Sequence, residues 1–157
     1  MPEYDHVIGI DPGLSGAIAV LPEQVIHDMP TAGTAKRDEY LPAEMANLLR
    51  PYAKGTLVVL ERQQTHPRQS SSSSFKIGVG YGLWLGIVAT LGIPVQVVSP
   101  QDWKKVMLRG RSHEKGMSLV VAQEMFPGLL HMLKRVKDHD RAEALLIAQF
   151  GLQGVAL

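Results

Sequence analysis

Apolar and polar positions follow two different periods along this chain, and the change between them outlines its architecture. Short apolar runs come first: Val7-Ile8-Gly9-Ile10, closed by Asp11-Pro12-Gly13, then Gly16 to Leu21, then Gln24 to Met29. Brief runs of this kind, bounded by Gly and Pro, predict three strands joined by tight turns in an antiparallel meander. From residue 42 the spacing becomes helical. Leu41, Met45, Leu48 and Leu49 share one side of a helix predicted over Pro42–Leu49, and Pro51 ends it. Thr56-Leu57-Val58-Val59-Leu60 is a continuous β-prone run, predicted as a central strand buried on both faces, with Glu61 at its C-terminal end.

Residues 62–76 are polar and include the serine run Ser70–Ser74, which predicts a flexible surface loop with helix resuming near Ile77. In that helix Gly78, Gly82 and Gly86 recur every four residues and so lie on one face. Val95–Val98 predicts another strand. Pro100-Gln101-Asp102-Trp103 opens a short helix, with Ser99 as its cap. An amphipathic helix is predicted over 113–126, carrying Met117, Val120, Val121, Glu124 and Met125 at helical spacing. A last helix is predicted over 140–150, apolar at Ala142, Leu145, Leu146, Ala148 and Phe150. A meander followed by alternating strand and helix predicts an α/β fold, a mixed sheet flanked by helices on both faces. At 157 residues, one domain spanning 1–157 is expected.

Composition narrows the function classes. The chain has no cysteine, which excludes disulfides and cysteine-ligated zinc and suits a reducing, cytoplasmic setting. Net charge is only +1, but residues 79–157 hold nine of the sixteen Lys and Arg against six of the fifteen Asp and Glu. Any nucleic-acid face is therefore local. The N-terminus shows no basic segment leading into an apolar run, so no signal peptide is expected. Ile77 to Pro100 is uncharged, but Gly92-Ile93-Pro94 breaks it, leaving about 15 residues where a spanning helix needs about 20. No membrane span is expected.

Four carboxylates occupy positions that chemistry would use. Asp11 ends the first strand and Glu61 the central one; Asp140 and Glu143 stand three apart at the start of the last helix, on one side of it. If the two strands are parallel neighbours, Asp11 and Glu61 meet at the carboxyl edge of the sheet, where open α/β sheets bind ligands. Clustered carboxylates require a compensating cation to stay ionised together. Mg²⁺ prefers oxygen ligands, and two such ions roughly 3.5–4 Å apart can hold a phosphodiester for hydrolysis. Acids at a helix start also favour the macrodipole without any catalytic role, so the conjunction of all four carries the argument. No Gly-x-Ser-x-Gly or Walker loop competes with this site.

With these residues in place the sequence resembles the RuvC-type Holliday-junction resolvases, in their phage and organellar branch. Ile8-Gly9-Ile10-Asp11-Pro12-Gly13 resembles the opening motif, Leu57-Val58-Val59-Leu60-Glu61 the second acidic strand, and Asp138-His139-Asp140-Arg141-Ala142-Glu143-Ala144-Leu145-Leu146 the terminal acidic helix. Gly80-Tyr81-Gly82-Leu83-Trp84 and Val98-Ser99-Pro100-Gln101-Asp102-Trp103-Lys104-Lys105 fit the connecting segments. The resemblance implies a ribonuclease H-like fold with a mixed five-stranded sheet, a homodimer, and paired, symmetric nicks across a four-way DNA junction. It implies two Mg²⁺ or Mn²⁺ ions per active site and no small-molecule cofactor, in a bacterial or phage-infected cell. By position it implies Asp11, Glu61, Asp140 and Glu143 as metal ligands and catalytic residues. The final pair is more commonly Asp and Asp, or His and Asp, which leaves Asp138 and His139 as alternatives to Asp140. Bacterial relatives carry a base-stacking aromatic soon after the second acid. Here Gln63-Gln64-Thr65-His66 stands in its place, and Phe75 matches a core position.

Lys104, Lys105, Arg109, Arg111 and Lys115 form a basic run expected to hold DNA phosphates, and Lys134, Arg135, Lys137 and Arg141 gather beside the proposed ligands. A solvated surface face is the bland reading of either run. The 78–91 helix is the expected dimer contact, with Tyr81, Trp84 and Leu85 beside the glycine strip; intrachain packing of that strip is the alternative. Two other functions remain open: another ribonuclease H-like nuclease acting on RNA, and a junction-binding protein without catalysis. Asp11-Pro12-Gly13-Leu14-Ser15-Gly16 also faintly resembles the phosphate loop of sugar kinases and actin-like ATPases, which require a second large lobe.

Overall fold

The computed structural model describes residues 3–33 and 38–154. In chain order its elements are β1 (His6–Asp11), β2 (Ala17–Leu21), β3 (Val25–Asp28), β4 (Thr31–Ala32), β5 (Glu39–Tyr40), α1 (Pro42–Leu49), β6 (Thr56–Glu61), α2 (Ser71–Leu91), β7 (Val95–Val98), α3 (Pro100–Met107), α4 (Met117–Met125) and α5 (His139–Leu152). The main sheet has five strands in the order β3-β2-β1-β6-β7. Its first three strands are the antiparallel meander, whereas β1–β6 and β6–β7 pair in parallel. The short strands β4 and β5 pair with each other. This is the mixed, helix-flanked sheet that the alternation of elements predicts.

Strand periodicity sorts the core into two layers. Ile8, Ile10, Ile18, Val20, Val58 and Leu60 face α1 and α2, packing with Met45, Leu49, Trp84 and Val88. The intervening residues Val7, Ala17, Ala19, Leu21 and Val59 face the other way, against α3, α4 and α5. Side chains in a strand alternate between faces, so Asp11 and Glu61 share the face that α5 covers.

That face is built of small residues where α5 crosses β1. A Cβ added at Gly9 would collide with the Ala144 carbonyl oxygen and the Ala148 amide, and would sit 2.9 Å from the Ala148 Cα. Gly151 is tight in the same way against Val59 and Val7. Ala144 and Ala148 lie beside Gly9, and Gly151 beside Val7, so α5 runs antiparallel to β1 with its first turn over the carboxyl end of that strand.

Two boundaries differ from the sequence expectation. The serine run is the first turn of α2 rather than a loop: the Ser70 hydroxyl accepts the Ser73 amide at 3.1 Å and caps the helix. Serine is a poor helix interior residue but a strong cap, because its hydroxyl satisfies an orphan N–H. Conversely, α4 begins at Met117, not at residue 113. Gly116 adopts φ of +98°, which interrupts helical backbone before it.

Among the described residues α2 meets the length and composition of a membrane span, with a mean hydropathy of 1.3 over 18 residues. Its connectivity argues against one. It joins the adjacent parallel strands β6 and β7 as a crossover, and Gly80, Trp84 and Val88 seat it on the sheet.

The close approach at Gly9 predicts that Gly9→Ala destabilises the fold by about 3 kcal/mol, because both colliding partners are backbone with no rotamer to yield. Urea denaturation of the variant measures this, and a change within about 0.5 kcal/mol would show that α5 can move away.

Candidate active site

The parallel register pairs Ile10 with Leu60, which brings Asp11 and Glu61 to the same edge of the sheet. The first two turns of α5 then deliver Asp140 and Glu143, about one helical turn apart. Oxygens of Asp11, Asp140 and Glu143 lie within 4.8 Å of one another. Glu61 stands beside this group, and both of its oxygens are engaged. Oε2 accepts the indole N–H of Trp103 at 2.6 Å, and Oε1 accepts the Gln63 amide at 3.3 Å. Asp11 and Glu61 are both buried.

Burial and mutual repulsion act together on these acids. Asp11 is held well above the usual carboxylate range, first by burial, then by the charges of Glu61, Glu143 and Asp140; the Gly13 amide offsets little of this. Glu61 is pushed up to about 7, chiefly by burial, with the Trp103 hydrogen bond opposing. Asp140 is also raised, again first by burial. Such a set of oxygen donors with too little positive charge is the environment in which a hard divalent cation relieves the repulsion.

The three alternatives around residue 140 take separate places. Asp140 belongs to the acidic group. His139 presents Nε2 to Asp140 Oδ1 at 3.1 Å, while its Nδ1 faces the Val136 carbonyl at 3.1 Å. Asp138 points elsewhere: it is buried, accepts the Arg135 amide at 2.8 Å and the Arg135 guanidinium at 2.9 Å, and lies 3.5 Å from Arg141. The Arg135 contacts hold its carboxyl below the usual range. Asp138 therefore closes the turn before α5.

The basic residues divide as well. Lys104 Nζ lies 3.0 Å from Glu143 Oε1, so this lysine sits inside the acidic cluster rather than on an open phosphate track. Lys115 is exposed, yet its charge lowers Asp140. With Lys104, His113 and Glu143 it lines a recess of about 270 Å³ beside the carboxylates. Lys105 and Arg109 are exposed. Arg111 forms a two-armed pair with Glu124, which neutralises it locally. In the second run, Arg141 grips Asp28 through two bonds of 2.7 Å, and Arg135 is committed to Asp138, so these cations hold the fold. Lys134 and Lys137 remain exposed.

Several features escape a sequence reading. Phe75 is not a core residue: it is 73% exposed, because the extra helical turn built by the serines carries it to the surface. Trp84 is fully buried and so cannot contribute to a surface contact. Tyr40 donates its hydroxyl to the Pro12 carbonyl at 3.1 Å, bracing the turn after Asp11, and burial keeps that phenol protonated to about 12. Trp103 stands in the first turn of a short helix, 42 positions from Glu61 in sequence. Only its approach to Glu61 reveals the polar contact.

The chain is similar to known proteins in sequence and in fold. No protein-family model matches it. Over 71 residues it is 37% identical to the chloroplastic Holliday junction resolvase MOC1 of Chlamydomonas reinhardtii, an alignment that covers 45% of this chain and 8% of that protein. In three dimensions it resembles Thermus thermophilus RuvC in complex with a Holliday junction substrate, with a TM-score of 0.65, 21% identity, and coverage of 96% of this chain and 97% of that one. A second Thermus thermophilus RuvC structure matches with a TM-score of 0.59 and 18% identity over 95% of this chain and 96% of that one. The fold is thus that of RuvC, the ribonuclease H-like arrangement with a mixed five-stranded sheet.

The raised carboxylates make stability fall with pH in metal-free protein. A carboxyl whose folded value lies above its unfolded value stabilises fully below the unfolded value, and that contribution is lost as pH rises through the folded one. For Glu61 the window runs from its ordinary value up to about 7. Asp138, being lowered, acts in the opposite sense and weakens the fold only in acid. In chelator, Glu61→Gln is therefore expected to be about 1–3 kcal/mol more stable than the parent at pH 8 and near-equal at pH 4. Urea titrations at both pH values measure the difference, and a variant less stable than the parent at pH 8 contradicts it.

Proposed function

We propose that this chain is a RuvC-type, structure-selective endonuclease, one domain over residues 1–157, that resolves four-way (Holliday) DNA junctions by divalent-metal-dependent phosphodiester hydrolysis. The observation that carries this reading is the convergence of Asp11, Asp140 and Glu143, with Glu61 beside them, at the carboxyl ends of β1 and β6. The donor set is all oxygen and three of its members are raised by crowding and burial, which fits Mg²⁺ or Mn²⁺. Asp11, Glu61, Asp140 and Glu143 are the ligands in this reading, for two ions. Bound there, the cations supply Lewis-acid charge to the phosphoryl and leaving oxygens and lower the pKa of an attacking water.

The chain's own residues then have separate tasks. Asp11, fixed by the Tyr40-braced turn, and Glu61, fixed by Trp103, form a rigid floor at the sheet edge. Asp140 and Glu143 close over it from α5. Lys104 offsets the charge of Glu143, and Lys115, Lys105 and Arg109 attract the DNA backbone toward a site whose net charge would otherwise repel it. Backbone contacts of this kind select shape over sequence. The relative in Chlamydomonas reinhardtii is a chloroplast protein, so the compartment expected for such an enzyme is wider than a bacterial or phage-infected cytoplasm.

A four-way junction has approximate two-fold symmetry, which a C2 homodimer matches with two identical sites. The face of α2 supports this assembly. A Cβ added at Gly78, Gly82 or Gly86 would meet no atom within 4 Å among the described residues, so this strip has room for a second helix to approach. Only 17% of the apolar window of α2 is buried within one protomer, and Gly82, Leu83, Gly86 and Ile87 line an open groove with α1.

The decisive experiment incubates the protein with a labelled four-way junction, a matched linear duplex and an RNA–DNA hybrid, in Mg²⁺ or Mn²⁺, beside Glu61→Gln and Lys115→Ala. Paired symmetric nicks in the junction alone are expected, lost in Glu61→Gln, with weaker binding and a shallower salt dependence in Lys115→Ala. Cutting of the hybrid instead assigns the same site to an RNA-directed nuclease, and binding without cutting in either metal leaves a junction-binding protein. In sedimentation, Gly82→Leu is expected to yield monomers; an unchanged dimer would move the interface off α2.

A further inference from the structure

Helix α3 delivers two consecutive residues into the acidic cluster, and each takes a carboxylate from a different element. Trp103 is fully buried, and its indole N–H donates to Glu61 Oε2 at 2.6 Å, across 42 positions of sequence. Lys104 reaches Glu143 at 3.0 Å, its ammonium 5.2 Å from the Trp103 ring. Ser99 caps the helix by accepting the Asp102 amide at 3.1 Å, one residue before Trp103, so the backbone there is firmly placed. Burial alone does not enforce such a partner: the indole nitrogen of Trp84, equally buried, has none among the described residues.

Its consequence concerns Glu61. A carboxylate pinned through one oxygen by a rigid, close-packed ring cannot swing to present both oxygens equally to one ion. The remaining contact, from Gln63 to Oε1, is longer at 3.3 Å and comes from a partly exposed chain, so it can give way. Mg²⁺ requires near-octahedral geometry and keeps several waters, whereas Ca²⁺ readily takes a carboxylate through both oxygens. We infer that Trp103 is a positioning residue that restricts Glu61 to a single donor oxygen, Oε1, and thereby biases the site toward Mg²⁺ and against Ca²⁺. The inference rests on the proposed role of the four acids as cation ligands.

Trp103→Phe retains the ring in the core and removes only the N–H. Calorimetric titration of full-length protein with Mg²⁺ and with Ca²⁺, without DNA, reads the effect directly. Mg²⁺ affinity is expected to fall about 10-fold, as outer-shell changes typically produce, while Ca²⁺ affinity holds or rises. Equal losses for both ions would mean that Trp103 merely packs, and would overturn the inference. Absence of divalent binding in the parent protein would instead overturn the metal site itself. A second measurement does not depend on the folding of that variant. In Trp84→Phe, which removes an N–H that has no partner among the described residues, Trp103 is the sole tryptophan. Saturating Mg²⁺ and Ca²⁺ are expected to shift its emission differently, because only Ca²⁺ competes for Oε2; identical spectra overturn the inference.

Discussion

The contact on which this molecule depends is the near-bare crossing of α5 over β1 at Gly9. Ala144 and Ala148 lie so close there that no side chain fits between helix and strand. The placement of Asp140 and Glu143 over Asp11 is downstream of that distance. With a larger residue at position 9 the helix would ride higher, and Asp140 and Glu143 would lift away from Asp11. The small residues Ala17 and Ala19 on β2 continue the same low surface. In this fold, tight packing sets the geometry of an acidic site whose own charges would push it apart.

That repulsion is managed locally. Lys104 stands against Glu143, His139 against Asp140, and the Trp103 indole against Glu61. Burial first, and incomplete compensation after it, leave Asp11, Asp140 and Glu61 all raised. Mutual repulsion among buried carboxylates is the cost of holding these oxygen donors together. By contrast, Asp138 and Asp28 are fully matched by Arg135 and Arg141, and they lock the turn that precedes α5. Acids of similar appearance in sequence thus serve opposite ends, one set structural and the other electrostatically unsatisfied.

The long helix α2 shows a comparable division. One side, through Trp84 and Val88, completes the core above the sheet. The other side carries open glycines and exposed apolar residues, Phe75 and Val79 among them. A helix this apolar satisfies the length criterion for a bilayer, but a crossover between adjacent parallel strands has no freedom to leave the sheet.

Much of this was legible in the residues alone, and the reason is local. Strand and helix periods depend on near neighbours, so the meander, the central strand ending in Glu61 and the acidic start of α5 followed directly from spacing. Capping chemistry decides helix ends, and it overrode composition at Ser70, turning an expected loop into the first turn of α2 and carrying Phe75 to the surface. At Gly116 a left-handed backbone angle shortened α4 in the same local way. Partner choice is different, because it depends on residues far apart in sequence. Which of Asp138, His139 and Asp140 joins Asp11, which arginines are consumed by Asp28 and Glu124, and that Trp103 donates to Glu61 were decided only when β1, β6, α3 and α5 came together. Spacing along the chain could nominate the acids and cations; only the packing of α5 on a glycine-floored sheet could determine which of them meet.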